Sequence, residues 1–147
     1  MPDAFSEEEI EQVIQLRKWI DQDIEWRQED GYFQFRVPIL CVEDYALRMI
    51  GSLTERTGYY RYNLLLGDQP ARMLHVGKGH HNPGCTKIGR QHKHKWTDTH
   101  DQHWAYEPTD IDFSGLERAF MTFLVECRIE LRGRFVTPRA QMRLPWR

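Results

Sequence analysis

Two apolar runs joined by a tight turn constrain the fold of this chain more than any other feature. The segments "YYRYNLLLG" and "ARMLHVG" flank the turn formers "GDQP", an arrangement that predicts a β-hairpin. "GYFQFRVPIL" predicts another strand, in which Pro38 predicts an edge position or the end of pairing. "HKHKW" and the aromatic segment around His103 and Trp104 predict further strands, and "HHNPGCTKIGR" predicts a loop before "HKHKW". Together these patterns indicate an antiparallel sheet.

Helical patterns lie on both sides of these strands. Ser6 and Glu9 form a predicted capping box at the start of "FSEEEIEQVIQLRKWI", whose apolar stripe is expected to include Trp19. "FSGLERAFMTFLVECRIEL" predicts a second helix, with inward residues Phe113, Leu116, Phe120, Phe123, Leu124 and Cys127. "VEDYALRMIGSLTER" is also interpreted as a helix, although Gly51 disfavours it. The predicted fold class is α+β, an antiparallel sheet with an N-terminal and a C-terminal helix packed on it.

Composition places this pattern in one globular domain. The chain has 147 residues, 40% of them hydrophobic and 29% charged, so residues 1–147 are expected to form a single domain. No apolar run approaches the ~20 residues of a membrane span, and the acidic N-terminus is unlike a signal peptide. We therefore expect a cytoplasmic protein without a membrane partner. Three scattered cysteines disfavour a disulfide framework and a cysteine zinc site.

Charge is distributed unevenly along the chain. The first thirty residues contain ten acids and three bases, whereas residues 69–97 contain six bases and no acid. Six arginines follow Cys127, against the single acid Glu130. Separated charge of this kind predicts a polyanion, such as RNA, or an acidic protein as the partner.

Histidines are concentrated in the same basic segment. Five of the seven lie between Leu74 and Trp96, at positions 75, 80, 81, 92 and 94. Alternate residues of a strand project from one face, so His92 and His94 are expected to point into one pocket. His75 ends a neighbouring predicted strand, so pairing of the two strands would bring several imidazoles together.

General acid–base cleavage of RNA is the first chemistry that such a cluster predicts. Imidazoles titrate near ~6.5, so one neutral and one protonated histidine can share the proton transfers at neutral pH. We predict His80 and His94 as the acid–base pair, with His92 completing the catalytic set. Phosphate is expected to contact His92 together with the basic residues Lys78, Arg90 and Lys93. Asn82 is expected to order the loop. No metal and no cofactor are expected.

A zinc-dependent hydrolase is the further alternative, with His80, His92 and His94 as ligands. Six nearby bases and the lack of a carboxylate to orient the imidazoles disfavour this site. The same bases are expected to lower the imidazole pKa values. The runner-up to the endoribonuclease is a non-enzymatic phage or mobile-element module that blocks an acidic or nucleic-acid partner through Arg143, Trp146 and Arg147. Each histidine alone can also be a structural residue bonded to the backbone.

The order of motifs resembles a bacterial domain family of unknown function. That family carries a strand, P-H-x-N-P, H-x-H with an aromatic residue, a W-A-Y segment and a phenylalanine-rich helix. Here "GHHNPG", "HKHKW", "HWAYEPTDID" and "LERAFMTFLVEC" follow in the same order over residues 59–130, with signature positions His80, Asn82, Pro83, His92, His94 and Trp104. Gly79 replaces the usual proline, and His75 stands where an aspartate is expected.

The two histidine motifs are also similar to those of TumE-type toxins of toxin–antitoxin pairs. That likeness implies a toxin-type endoribonuclease with a cognate antitoxin.

Overall fold

The first helix, α1, is Glu7–Gln15. The computed structural model describes residues 4–84 and 86–138. The predicted capping box is confirmed, because the Ser6 hydroxyl accepts the Glu9 amide and the Glu9 carboxylate accepts the Ser6 amide. The helix ends earlier than predicted, since Lys18–Ile20 is a strand. The expected helical role of Trp19 is therefore wrong.

Buried Lys18 explains why the chain leaves the helix there. Its ammonium donates hydrogen bonds of 2.6–2.9 Å to the carbonyl oxygens of Val13, Ile14 and Leu16. These bonds satisfy carbonyl groups at the helix end, where the last carbonyls lack the usual intrahelical partners, and the Val13 carbonyl also accepts the Leu16 amide.

The remaining elements are mostly strands. The second helix, α2, is Leu116–Glu126. In chain order the strands are β1 Lys18–Ile20, β2 Ile24–Glu25, β3 Arg27–Glu29, β4 Tyr32–Cys41, β5 Leu47–Thr54, β6 Tyr60–Leu66, β7 Gln69–Val76, β8 His80–His81, β9 Lys87–Ile88, β10 Gln91–Thr97, β11 Asp101–Tyr106, β12 Ile129–Leu131 and β13 Phe135–Val136.

The strands form one large sheet and two small ladders. The large sheet has the order β11-β10-β7-β6-β5-β4-β1-β12, and β3 pairs beside β4. All neighbours along this path are antiparallel except β1 and β12, which are parallel. The predicted α+β class and predominantly antiparallel sheet are confirmed, whereas a purely antiparallel sheet is wrong. The predicted hairpin is β6–β7.

The helix predicted around Gly51 is wrong. The segment around Gly51 is strand β5 rather than a helix, because its alternate residues Leu47, Met49 and Leu53 face the core. A side chain at Gly51 would collide with the ring of Phe35, so glycine allows the close approach of β4 and β5.

Pro38 does not make β4 an edge strand. β4 pairs with β5 on one side and with β3 and β1 on the other. The registers with β3 and β1 cover residues 32–34 and 40–41 of β4, so Pro38 lies in the gap between them. A proline there interrupts neither pairing.

The two faces of the sheet have different surroundings. One face packs against α1 and α2 in a core that includes Ile10, Tyr62, Leu74, Phe120 and Phe123. The predicted inward residues of α2 all belong to this core or pack against it. The second face carries the histidines. Of the described residues, none belongs to a helix long and apolar enough to cross a membrane.

Candidate functional site

Strand pairing brings three imidazoles together on the face of the sheet opposite the core. The register of β10 and β7 places His92 opposite His75, and His94 is two residues along the same face. The ring centroids are 5.3 Å apart for His75 and His92, 4.6 Å for His75 and His94, and 4.9 Å for His92 and His94. One ring nitrogen from each lies within 4.8 Å of the others. We call His75, His92 and His94 the histidine cluster.

Backbone carbonyl groups orient two of the three rings. His92 Nδ1–H donates to the Gly89 carbonyl oxygen at 2.8 Å, and His94 Nδ1–H donates to that of Gln102 at 2.9 Å. A carbonyl oxygen only accepts, so in the neutral rings Nε2 carries the lone pair. Nε2 of His75 and Nε2 of His94 are buried without a hydrogen-bond partner among the described residues. Buried polar atoms of this kind are costly unless water or a ligand satisfies them.

Burial keeps these imidazoles neutral. It is the largest cause that lowers the pKa of His75 to about 3 and that of His94 to about 4, and neighbouring imidazoles lower both further. Burial also lowers the pKa of His92, opposed by its bond to Gly89. The predicted direction is confirmed, but its main cause is burial. Of the nearby bases, Arg61 contributes to the shift at His75.

His80 lies beside the histidine cluster on the β8–β9 hairpin. Its ring centroid is 4.7 Å from that of His94 and 5.7 Å from that of His92. Its Nε2–H donates to the His103 carbonyl oxygen at 2.9 Å, so in the neutral ring Nδ1 carries the lone pair. The predicted neighbours His80 and His94 are thus brought together. The predicted metal-ligand set is corrected, because His75 replaces His80 in it.

Asn82 attaches this hairpin to strand β11. Its side-chain amide donates to the Ala105 carbonyl oxygen and accepts the Ala105 amide, both at 2.7 Å. The pair of bonds imitates strand pairing along the outer edge of β11. Asn82 is itself buried, and its contacts fit the predicted role of ordering the loop. The loop prediction for this segment is otherwise corrected by the short ladder of β8 and β9.

The basic residues predicted to hold phosphate do not stay together. Lys93 points to the opposite face, where its ammonium lies 2.6 Å from Asp110 and 2.8 Å from Glu126 with 1% of the side chain exposed. This burial contradicts its predicted contact with phosphate beside the histidines. Lys78 is exposed in a groove that His75 also lines. Arg90 is exposed near Glu107 in a different depression.

The structure weakens two arguments against a metal, although Arg61 and Lys78 remain on the histidine face. Lys93 is neutralised on the far side of β10 and does not repel a cation at the imidazoles. The carbonyl oxygens of Gly89 and Gln102 orient His92 and His94, a role that carboxylates or carbonyls fill at metal sites. Tetrahedral zinc ligands lie about 3.4 Å apart, and the three ring nitrogens lie within 4.8 Å of one another.

Sequence reasoning expected His75 to approach His92 and His94 if their strands paired but gave it no role in the site, and it did not include Arg61. His75 lies near the end of the second strand of the predicted hairpin. The apolar residues beside it and the turn of that hairpin were the sequence features that indicated its position. Arg61 faces the same side, because β6 pairs it directly with His75. Only the register of three strands identifies both residues as members of one surface.

Comparisons with known proteins identify a family without an activity. A family model described as "Family of unknown function (DUF6978)" matches residues 5–129. The resemblance to an uncharacterised domain family is thereby confirmed, and the likeness to TumE-type toxins stays a prediction. No curated protein matches the chain. No solved structure matches it either.

Proposed function

The chain belongs to the family of unknown function DUF6978, and we propose from its histidine cluster that the protein is a metal-dependent hydrolase. His75, His92 and His94 would be the ligands, with zinc as the metal that three neutral imidazoles favour. One observation carries the proposal. One ring nitrogen from each of the three histidines lies within 4.8 Å of the others, Nε2 of His75 and of His94 are buried without a partner among the described residues, and backbone carbonyls orient the rings of His92 and His94.

The lowered pKa values support ligands more than acid–base groups. A metal ligand must be neutral, and His75 and His94, with pKa values of about 3 and 4, are neutral at physiological pH. A general base works best when its pKa is near the operating pH. Burial therefore makes His94 a good ligand and a weak base.

The surroundings supply the other parts of a hydrolytic site. A bound zinc ion would lower the pKa of a water molecule and polarise the substrate. The His80 ring centroid lies 4.7 Å from that of His94, and its Nδ1 is not used by the bond to the His103 carbonyl oxygen. The hairpin that carries His80 is held by Asn82 and covers one side of the imidazoles.

Metal content and hydrolysis test this proposal together. Protein purified without chelator is analysed for metals, and the chelator-treated protein is titrated with Zn²⁺ by calorimetry. We expect one zinc ion per chain, loss of binding in His92→Ala, and unchanged binding in His81→Ala, an exposed neighbour of His80. Hydrolysis of bis(p-nitrophenyl) phosphate and of mixed RNA should disappear in EDTA and return with Zn²⁺. Absence of binding would reject the proposal.

A metal-independent endoribonuclease of toxin type is the second candidate. The 4.7 Å separation of the His80 and His94 rings favours it, because the two imidazoles can act on one phosphodiester. This candidate expects RNA cleavage that persists in EDTA and is lost in His94→Ala. The metal-dependent proposal expects no cleavage in EDTA.

The predicted partners are RNA and a cognate antitoxin or other acidic protein. The alternative of a non-enzymatic interaction module depends on Arg143, Trp146 and Arg147, which lie outside the described residues. It expects charge reversal of these arginines to impair function more than loss of His80 and His94. The reverse ranking supports the hydrolase.

A further inference from the structure

A groove of about 270 Å³ opens beside the histidine cluster. His75 forms part of its wall and is also one of the three clustered imidazoles, so the groove leads directly to the proposed centre. The other residues that define its chemistry are Thr54, Tyr59, Tyr60, Arg61 and Lys78. The groove thus combines aromatic rings, a hydroxyl group and two cationic side chains.

The two cations of the groove have no carboxylate partner. Arg61 Nε donates to the Ser52 hydroxyl at 3.3 Å, which orients the guanidinium. Among residues 4–84 and 86–138, no salt bridge involves Arg61 or Lys78. Arg72 and Lys93, by contrast, each contact two carboxylates. The charges at Arg61 and Lys78 are therefore available to an anionic ligand.

Tyr59 supplies an exposed aromatic surface next to these charges. Its side chain is 40% exposed, yet its ring lies against Gly77, where an added Cβ would collide with it. Gly77 has φ +126°, a conformation that requires glycine. Because Gly77 has no side chain, the ring of Tyr59 packs directly on its backbone. A ring held in place with one face open can stack on a nucleobase.

We propose that this groove binds a nucleotide of single-stranded RNA as the substrate of the histidine centre, a proposal that rests on the hydrolase function. The base stacks on Tyr59, and its phosphates contact Arg61 and Lys78. The hydroxyl of Thr54 can contact the ribose 2′-hydroxyl. The next phosphodiester is then beside His75. Unstacked bases are accessible in single strands and not in duplexes.

Fluorescence anisotropy with a short labelled RNA of mixed sequence measures this interaction. The full chain is titrated in EDTA and again with Zn²⁺, over a series of salt concentrations. Tyr59→Ala should weaken binding by about tenfold, since one stacked base contributes this much or more. Arg61→Gln combined with Lys78→Gln should reduce the slope of log affinity against log salt by about 1.4, or about 0.7 for each lost phosphate contact.

A matched control is Lys95→Gln, which removes a positive charge from β10 on the face opposite the histidines. It should leave RNA affinity within twofold of the original chain. All variants are checked for folding by circular dichroism and for Zn²⁺ binding by calorimetry. Zn²⁺ affinity should be unchanged in the groove variants.

The outcomes separate the two proposals. Zinc binding with RNA binding that the groove variants do not weaken would overturn the groove and leave the hydrolase. RNA binding that the groove variants weaken, without any zinc binding, would support the groove and reject the metal centre. Equal affinity for single-stranded DNA, for duplex RNA, or for a free mononucleotide would overturn the assignment of single-stranded RNA.

Discussion

Strand β10 carries two polar clusters, one on each face, and the surroundings of the two differ. On the core face, Lys93 contacts Asp110 and Glu126, and Arg72 of β7 contacts Glu11 and Glu126. On the other face, the three clustered imidazoles meet without a carboxylate, and two of their buried nitrogens lack a hydrogen-bond partner in the described chain. The charges of the first cluster are paired, although Arg72 Nε has no hydrogen-bond partner among the described residues, whereas the second cluster contains no charged partner.

This contrast also explains the uneven charge of the sequence. The acidic N-terminal segment supplies Glu11, and α2 supplies Glu126, so acids from distant segments neutralise two of the six bases in residues 69–97. The paired bases hold α1 and α2 against the sheet. The unpaired bases Arg61 and Lys78 lie on the histidine face. Buried charge that is paired with carboxylates is typical of a structural role, whereas unpaired charge beside a group of neutral imidazoles is typical of a binding site.

The largest expected effect is on the core face. Lys93→Met leaves two carboxylates without their ammonium partner and should lower the free energy of unfolding by about 3 kcal/mol. Chemical denaturation followed by circular dichroism measures this loss. Lys93→Met combined with Glu126→Gln should recover part of it. Zinc affinity should not change, and a loss of stability below about 1 kcal/mol would contradict the assigned role of the pair.

The second prediction concerns the histidine face. His92→Ala should reduce Zn²⁺ affinity at least about 100-fold, because loss of a ligand exceeds the effect of losing an outer-shell partner. In the original chain, Zn²⁺ at 100 times its dissociation constant should raise the free energy of unfolding by about 2.7 kcal/mol. Thermal melts with and without Zn²⁺ measure both effects. If His81→Ala were to lose as much affinity as His92→Ala, the cluster would not be the site.

The third prediction is a pH dependence confined to the histidine face. The pKa of His94 is lowered to about 4 in the folded chain. As the pH falls, His94 is therefore protonated at a higher pH in the unfolded chain than in the folded chain. The contribution of His94 to the free energy of unfolding is complete above pH ~6.5, the pKa of an unperturbed histidine. It decreases as the pH falls towards the pKa of His94 in the folded chain. At pH 5, His94 alone should account for roughly 2 kcal/mol of lost stability.

Denaturation of metal-free protein at pH 7 and pH 5 tests this expectation. His94→Gln should lose about 2 kcal/mol less than the original chain over the same interval. Parallel losses in the two proteins would show that His94 is not the group responsible.

The smallest expected effect is at the β8–β9 hairpin, which Asn82 attaches to β11. Asn82→Ala removes the two bonds to Ala105 and should cost about 1–2 kcal/mol of stability. Zinc affinity should fall modestly, since the hairpin only covers the imidazoles. His81→Ala, at an exposed position of the same hairpin, is the control in denaturation and zinc titration. A cost as large as that of Lys93→Met would mean that Asn82 does more than attach the hairpin.

Much of the local structure was predictable because it depends on neighbours in sequence. The capping box of Ser6 and Glu9, the hairpin around Gly67, and the apolar stripe of α2 each act within a few residues. The common face of His92 and His94 follows from the two-residue period of a strand. Errors arose where segments compete for the core: the chain around Gly51 and Trp19 pairs in the sheet although short-range patterns favour a helix.

The sequence alone therefore established the α+β class, the H-x-H pair and the excess of bases near it. It left the approach of His75 dependent on strand pairing, and it did not identify the bases that are neutralised or the groove at Tyr59. Those features depend on the register of β6, β7 and β10 and on contacts such as Arg72 with Glu11, which join residues far apart in the chain. The physical reason is that a side chain's pKa and partners depend on burial and on distances in space, and these are set when the whole sheet packs against its helices.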